Sequence, residues 1–154
     1  MICADDLCGR RALRVVCSWF HSTDGDEPEP ELVHMWLLLD GLGPVLFHTI
    51  DHILDLRIDE PHGSYDMGEY GHVTVGDAPD DFPLAPFVGH EILTVRHVRQ
   101  LSLDTSVGIV AGFATGDVRI LALADDLVVT ASRLSDTWEG DLEVTSPVAS
   151  TDRD

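Results

Sequence analysis

The chain has 154 residues, a length typical of a single domain with one hydrophobic core. It has 28 acidic residues and nine basic residues, so its formal net charge is −19. Because such a surface repels nucleic-acid phosphates, the composition excludes direct nucleic-acid binding from the predicted functions.

The N-terminal region contains all three cysteines, Cys3, Cys8 and Cys17, and begins with acidic rather than basic residues. It therefore lacks the basic and apolar regions of a secretion signal. No stretch approaches the roughly 20 apolar residues of a membrane helix. An odd number of crowded cysteines is also atypical of a disulfide-stapled secreted domain. We expect a cytoplasmic location, reduced thiols and no membrane association.

Apolar residues recur at every second position along the chain, which predicts β-strands. In the row Val33–Leu39 the opposite side of the strand is also apolar, with Leu32, Trp36 and Leu38, which predicts a central strand that is buried on both faces. The rows are Leu13–Trp19, Val33–Leu39, Leu54–Ile58, Val73–Val75, Leu93–Val95, Val107–Phe113, Val118–Ile120 and Leu127–Val129.

Short turn sequences separate the rows, among them Asp40-Gly41, Thr115-Gly116-Asp117 and Asp125-Asp126. Connections this short favour antiparallel pairing, because parallel strands need a long crossover. We predict an all-β, single-domain antiparallel sandwich or partly open barrel of about eight to ten short strands, with at most one short helix.

Residues 45–56 fit two structures, because one face of a helix could also be lined by Leu46, Ile50, Ile53 and Leu54. We predict strand there. Residues 32–57 and 107–132 share a rhythm of strand, glycine turn, strand, aspartate turn and strand. This rhythm indicates either an internal duplication or the ordinary layout of a three-stranded meander.

Three segments are predicted to lie outside the strands. Residues 24–31 are acidic and proline-containing, which favours a flexible loop. The prolines of residues 77–89 cannot donate to a β-ladder, so a loop is predicted there as well. The tail 148–154 is expected to fray. Three apolar side chains are expected to hold the second loop against the core: Phe82, Leu84 and Phe87.

The loop 60–72 has the composition most typical of a functional site, because it combines both tyrosines with histidines, carboxylates and glycines. It is interpreted either as a recognition or catalytic loop, or as a set of turns whose tyrosine rings pack against the sheet. In an enzyme, the ligands or acid–base groups would be His62, Asp66, Glu69 and His72. The candidate binding residues are His62, Tyr65, Asp66, Glu69, Tyr70 and His72.

Two further clusters contain residue types that commonly bind metal ions. His48 and His52 would meet on a helix, but on the predicted strand they would lie roughly 13 Å apart on one face, too far for one ion. The three cysteines and His21 offer four zinc-type ligands, but Cys17 falls on an apolar row, where a thiol packs as a small hydrophobe. We predict no metal site and no cofactor.

The chain contains no nucleotide-binding fingerprint, no Gly-x-Ser-x-Gly motif and no lysine. All nine basic residues are arginine and asparagine is absent, which is typical of high-GC coding. That bias, together with solubility, is one explanation of the acidity, and attraction to a basic protein is another.

The function predicted is that of a bacterial-type, non-catalytic binding module, similar to an immunity or inhibitor protein, that docks on a basic protein partner. One alternative is a small-ligand or metal-dependent enzyme with its site under the loop 60–72, and a second is a structural or accessory protein. The sequence leaves the oligomeric state open.

Overall fold

A computed structural model of the chain describes residues 2–22, 29–145 and 148–149 and confirms the predicted all-β sandwich. Its described part holds twelve strands, more than predicted, because strands of two or three residues are too short to show alternation. The strands are β1 (Ala12–Ser22), β2 (Glu31–Leu39), β3 (Gly43–Ile50), β4 (Ile53–Ile58), β5 (Tyr65–Asp66), β6 (Gly71–Asp77), β7 (Thr94–Gln100), β8 (Thr105–Phe113), β9 (Gly116–Leu123), β10 (Asp126–Thr130), β11 (Leu142–Val144) and β12 (Val148–Ala149).

The strands form two antiparallel sheets. Sheet 1 has the order β4-β3-β2-β1-β6-β5, and sheet 2 has the order β10-β9-β8-β7-β11, with β12 also paired to β7. Residues 45–56 are strand, as predicted, and turn at 51–52 between β3 and β4. None of the helices in the described ranges has the length and apolar character needed to cross a bilayer.

The core lies between the sheets, because alternation turns every second side chain of each strand inward. On β2 the inward residues are Met35, Leu37 and Leu39, which pack against side chains from sheet 2 such as Ile109 and Ile120. Complete burial of one such side chain contributes roughly 1.5–3 kcal/mol. The inter-sheet layer is therefore what holds the two sheets together.

The meanders β2–β4 and β8–β10 are arranged in equivalent ways, since β4 packs on β8 and β9 while β10 packs on β2 and β3. Their last turns share one backbone geometry, with positive φ at Asp51 and His52 in one and at Ala124 and Asp125 in the other. The two turns also meet, because Thr49 Oγ1 donates to the Asp125 carbonyl oxygen at 2.8 Å. Both interpretations of the shared rhythm predict these meanders, so duplication stays a prediction.

Each sheet also buries apolar side chains on its outer face. On sheet 1 these are Val16, Trp36 and Leu46, and residues 59–64, which we call the strap, connect β4 to β5 at the opposite edge. On sheet 2, Leu134 and Trp138 pack against the outer residues, the latter from a one-turn helix at Asp136–Glu139. Both outer faces are thus partly covered.

The irregular segments follow the predictions in part. In the loop 77–89 the side chains Phe82, Leu84 and Phe87 are buried, as expected. Of the predicted flexible loop, residues 24–28 lie outside the described ranges and Glu31 already belongs to β2.

Two details differ from the sequence prediction. Residues 148–149 of the predicted frayed tail pair with β7, and residues 150–154 lie outside the described ranges. Leu13 is 52% exposed rather than inward, because an irregularity in the pairing of β1 with β2 falls between Ala12 and Arg14.

Gly108 allows a close approach of β8 to β9, which predicts a large effect of a small substitution. A Cβ atom there would overlap the carbonyl oxygen of Ile120 and lie 2.8 Å from the Cα atom of Leu121. We expect Gly108→Ala to lower the free energy of unfolding by about 1–3 kcal/mol in urea denaturation. Gly76→Ala on β6 is the control, because nothing lies within 4 Å of its Cβ position. An equal effect of both substitutions would contradict the prediction.

Candidate functional site

Strand alternation divides the residues of the loop 60–72 between two faces of sheet 1. Tyr65 and Asp66 are consecutive on β5 and pair with Val73 and His72 on β6, so their side chains lie on opposite faces. Tyr65 shares the outer face with His62, at a ring-centroid distance of 5.6 Å. The structure therefore places the two histidines of the loop on different faces.

Three imidazole rings come together on the outer face around Trp36. His34 lies at a ring-centroid distance of 5.8 Å from His48 and also 5.8 Å from His62. The His62 ring in turn lies 5.0 Å from the ring of Trp36. We call His34, His48 and His62 the imidazole cluster.

The cluster follows from strand register and from the path of the strap. His34 and Trp36 are two residues apart on β2, so they share a face, and Trp36 pairs across to Leu46 of β3. His48 is two residues beyond Leu46 and lies on the same face. The strap adds His62 from above, because it connects the two opposite edges of the sheet.

The strap is close to its full extension. Its ends belong to strands five positions apart, roughly 24 Å across a flat sheet at the usual strand spacing, and they also lie at different levels along the strands, since Ile58 pairs with Val45 and Tyr65 with Val73. The seven chain steps from Ile58 to Tyr65 reach only about 25 Å. Ser64 also holds the strap down, because its Oγ accepts a hydrogen bond from the Val75 backbone N–H at 2.9 Å. The strap therefore lies against the sheet as a cover.

Hydrogen bonds orient two of the rings. His48 Nε2 donates to Asp55 Oδ2 at 2.6 Å, and His62 Nδ1 donates to the Gly63 carbonyl oxygen at 2.9 Å. Carbonyl and ionised carboxylate oxygens only accept, so each bond fixes which nitrogen of the neutral ring carries the proton. Arg57 Nη2 donates to the same Asp55 oxygen at 3.0 Å and adds a positive charge beside the cluster.

Two buried polar atoms under the strap have no hydrogen-bond partner among the described residues. They are Nε1 of Trp36, a side chain that is 1% exposed, and Nδ1 of His34. A buried polar group without a partner costs about 1–3 kcal/mol relative to one that is hydrated. The covered state of this face is therefore less favourable than a fully apolar one would be.

The electrostatics of the cluster oppose protonation at its centre. Burial, and then the neighbouring His48 and His62, lower the pKa of His34 below its ordinary value. Burial opposes ionisation of Asp55, but hydrogen bonds from Arg57 and His48 outweigh it and hold the pKa of Asp55 below its ordinary value. At neutral pH, Asp55 is therefore ionised and His34 is neutral.

A second feature lies at the edge of sheet 1, where residues 65–70 form what we call the docking rim. Tyr65, Met67 and Tyr70 are 48%, 42% and 69% exposed, and Asp66 and Glu69 between them are exposed as well. The rim thus combines exposed aromatic and apolar side chains with carboxylates.

His72 lies beside the rim on the other face of the sheet. Its ring stacks in parallel on His21 of β1, at a centroid distance of 4.6 Å. Nε2 of His21 lies 2.9 Å from Oγ1 of Thr74, within hydrogen-bond distance. The two rings support each other at this end of the sheet.

The other clusters considered for metal binding are dispersed. His52 lies in the β3–β4 turn, at positive φ, and not on a strand face with His48. Cys17 is buried in the core as predicted, and burial raises the pKa of its thiol to about 12. Within residues 2–22 and 29–145, no three His, Cys, Asp or Glu side chains are arranged to hold one metal ion.

The chain matches no protein-family model, no curated protein and no solved structure. The sequence prediction found His62 but missed its partners His34 and Trp36. Their shared two-residue spacing on β2 was the available signal, but only the path of the strap shows that His62 lies above them.

Asp55 is predicted to stabilise the folded state only while it is ionised. Because its folded pKa is depressed, its contribution is present above its ordinary pKa of 3.8 and is lost as the pH falls through the lower folded value. We expect Asp55→Asn to lower the free energy of unfolding by about 1 kcal/mol at pH 7 and by less near pH 3, in denaturant titrations. Asp59→Asn, at an exposed carboxylate, is the control. A deficit that does not change with pH would refute this role.

Proposed function

We propose that the protein is a non-catalytic binding module that docks on a basic protein partner through the docking rim, as immunity and inhibitor proteins do. The observation that carries this proposal is the exposure of Tyr65, Met67 and Tyr70 in one six-residue segment that also contains Asp66 and Glu69. Tyrosine and methionine are enriched at protein interfaces, and tyrosines are frequent hot spots.

The rim is held in shape by its own backbone. Asp66 Oδ1 accepts a hydrogen bond from the Gly68 N–H at 2.8 Å, and the Met67 N–H donates to the Gly71 carbonyl oxygen at 2.8 Å. Gly71 has φ 134°, and a Cβ atom there would overlap the carbonyl oxygen of His21. A preorganised segment loses little conformational entropy on binding, which favours affinity.

The charge of the chain supports a basic partner. A net charge of −19 attracts a positive surface over long distances and raises the association rate. This attraction is screened over about 10 Å at 0.1 M salt. In the complex, the carboxylates of Asp66 and Glu69 would pair with arginine or lysine side chains of the partner, around the tyrosines that the partner covers.

The proposal predicts that one exposed tyrosine carries much of the affinity. Wild-type protein and Tyr70→Ser would be immobilised and incubated with lysate of the source organism, and the retained basic proteins would be purified for titration. We expect Tyr70→Ser to weaken binding of such a partner by roughly tenfold or more, because hot-spot tyrosines contribute at this level. The association rate of the wild type should fall with increasing ionic strength.

Leu103→Ser is the matched control, because Leu103 is 48% exposed in the connection between β7 and β8 of sheet 2. It should bind the partner as the wild type does. Equal loss of affinity in both variants, unchanged affinity in Tyr70→Ser, or no basic protein retained at low salt would each contradict docking through the rim.

A further inference from the structure

The outer face of sheet 1 brings several cationic groups to one carboxylate. His34 lies between His48 and His62, and Asp55 accepts hydrogen bonds from His48 and Arg57. With the three imidazoles protonated, four positive charges would gather near the single negative charge of Asp55. The repulsion is strongest between His34 and His48, which are half-buried, and is weaker toward His62 and Arg57, which are exposed to water.

The other elements around the cluster offer little compensation. β1, β5 and β6 contribute uncharged side chains beside the cluster, and β1 and β6 also carry Arg14 and Asp77 on this face, an exposed ion pair whose opposite charges offset each other. The two acidic residues of the strap are exposed, where water and salt screen them. The uncharged side chains are Val16, Ser18, Tyr65 and Val75, and the acidic residues of the strap are Asp59 and Glu60.

Moving the strap is the easiest way to relieve this repulsion. His34 and His48 lie on β2 and β3, each of which has ladder hydrogen bonds to strands on both sides. His62 lies in the middle of the strap, whose two ends are held by one hydrogen bond each: the Asp59 N–H donates to the Pro44 carbonyl oxygen at 3.1 Å, and Ser64 Oγ accepts from the Val75 N–H. Between these ends the strap is held by the ring contacts of His62. Moving the strap therefore costs far less than moving either strand.

We propose that the strap is an acid-released cover, in which protonation of the imidazole cluster lifts His62 from Trp36 and opens the outer face of sheet 1 to water. Because the strap has little slack, its movement is short and the sheet stays intact. Water then reaches the buried nitrogens of His34 and Trp36, which lack partners within the described residues in the covered state. That hydration adds to the relief of repulsion.

The direction of the pH effect follows from His34. Its lowered pKa means that the covered state binds fewer protons than the open one, so acid favours opening. The opening takes place as the pH falls below the ordinary histidine value of 6.5. Opening also removes the His62 ring from its contact with the Tyr65 ring at the docking rim. An effect of this loss on partner binding rests on the proposed function, whereas the opening itself does not.

Trp36 reports the opening directly. In a variant carrying Trp19→Phe and Trp138→Phe, Trp36 is the remaining tryptophan, and the acrylamide quenching constant measures its access to solvent. We expect that constant to rise several-fold, with a red shift of the emission, between pH 7.5 and pH 5, and to return at pH 7.5. Far-ultraviolet circular dichroism should show an unchanged sheet signal.

The matched variants are His62→Gln and His90→Gln, made in the same background. His62→Gln keeps a polar cover that cannot be protonated, so its quenching constant should stay low at pH 5. His90 is exposed and lies in the connection between β6 and β7, away from the cluster, so His90→Gln should respond as the parent does. A constant quenching value across this pH range, or an equal response in His62→Gln, would overturn the proposal.

A second measurement removes the dependence on the tryptophan substitutions. Hydroxyl-radical labelling of Trp36 in the unsubstituted chain, read by mass spectrometry, should rise between pH 7.5 and pH 5, and unchanged labelling would overturn the proposal. Neither measurement involves a binding partner. Failure of docking through the rim would therefore leave the test of the strap intact, and the reverse also holds.

Discussion

The alternation of side chains along β2 is the constraint on which both faces of sheet 1 depend. Its inward residues, Met35 and Leu37, pack in the layer between the sheets. Its outward residues, His34 and Trp36, form the surface that the strap contacts. A slip of one residue in the pairing of β2 would exchange these two sets. The core and the imidazole cluster are therefore specified by the same register.

The strap connects the outer face of β2 to the edge of sheet 1. One end leaves β4 and the other enters β5, where the docking rim begins. The ring of His62 contacts both Trp36 and Tyr65, so one side chain lies between the covered face and the exposed segment. The two proposals thus concern neighbouring parts of one continuous stretch of chain, although each is tested separately.

The sequence predicts those parts of the fold that show alternation over several residues. The strand at 33–39 and the burial of Cys17 follow from it, because the pattern is repeated often enough to be read. β5 could not be predicted in this way, because a strand of two residues is too short to show alternation. The pairing of His62 with His34 is likewise beyond sequence reasoning, because it depends on the path of an irregular segment across five strand spacings. The residue types of the site were visible, but their division between two faces required the register of β5 against β6.

The two sheets share one apolar layer, and this bears on how the molecule loses its structure. Leu37 and Phe47 of sheet 1 pack into the same cluster as Ile109 and Ile120 of sheet 2. Either sheet alone would expose an entire apolar face to water, at roughly 25 cal/mol for each Å². Neither meander is therefore a stable intermediate by itself, and the sandwich is expected to melt cooperatively, with both halves lost in a single transition.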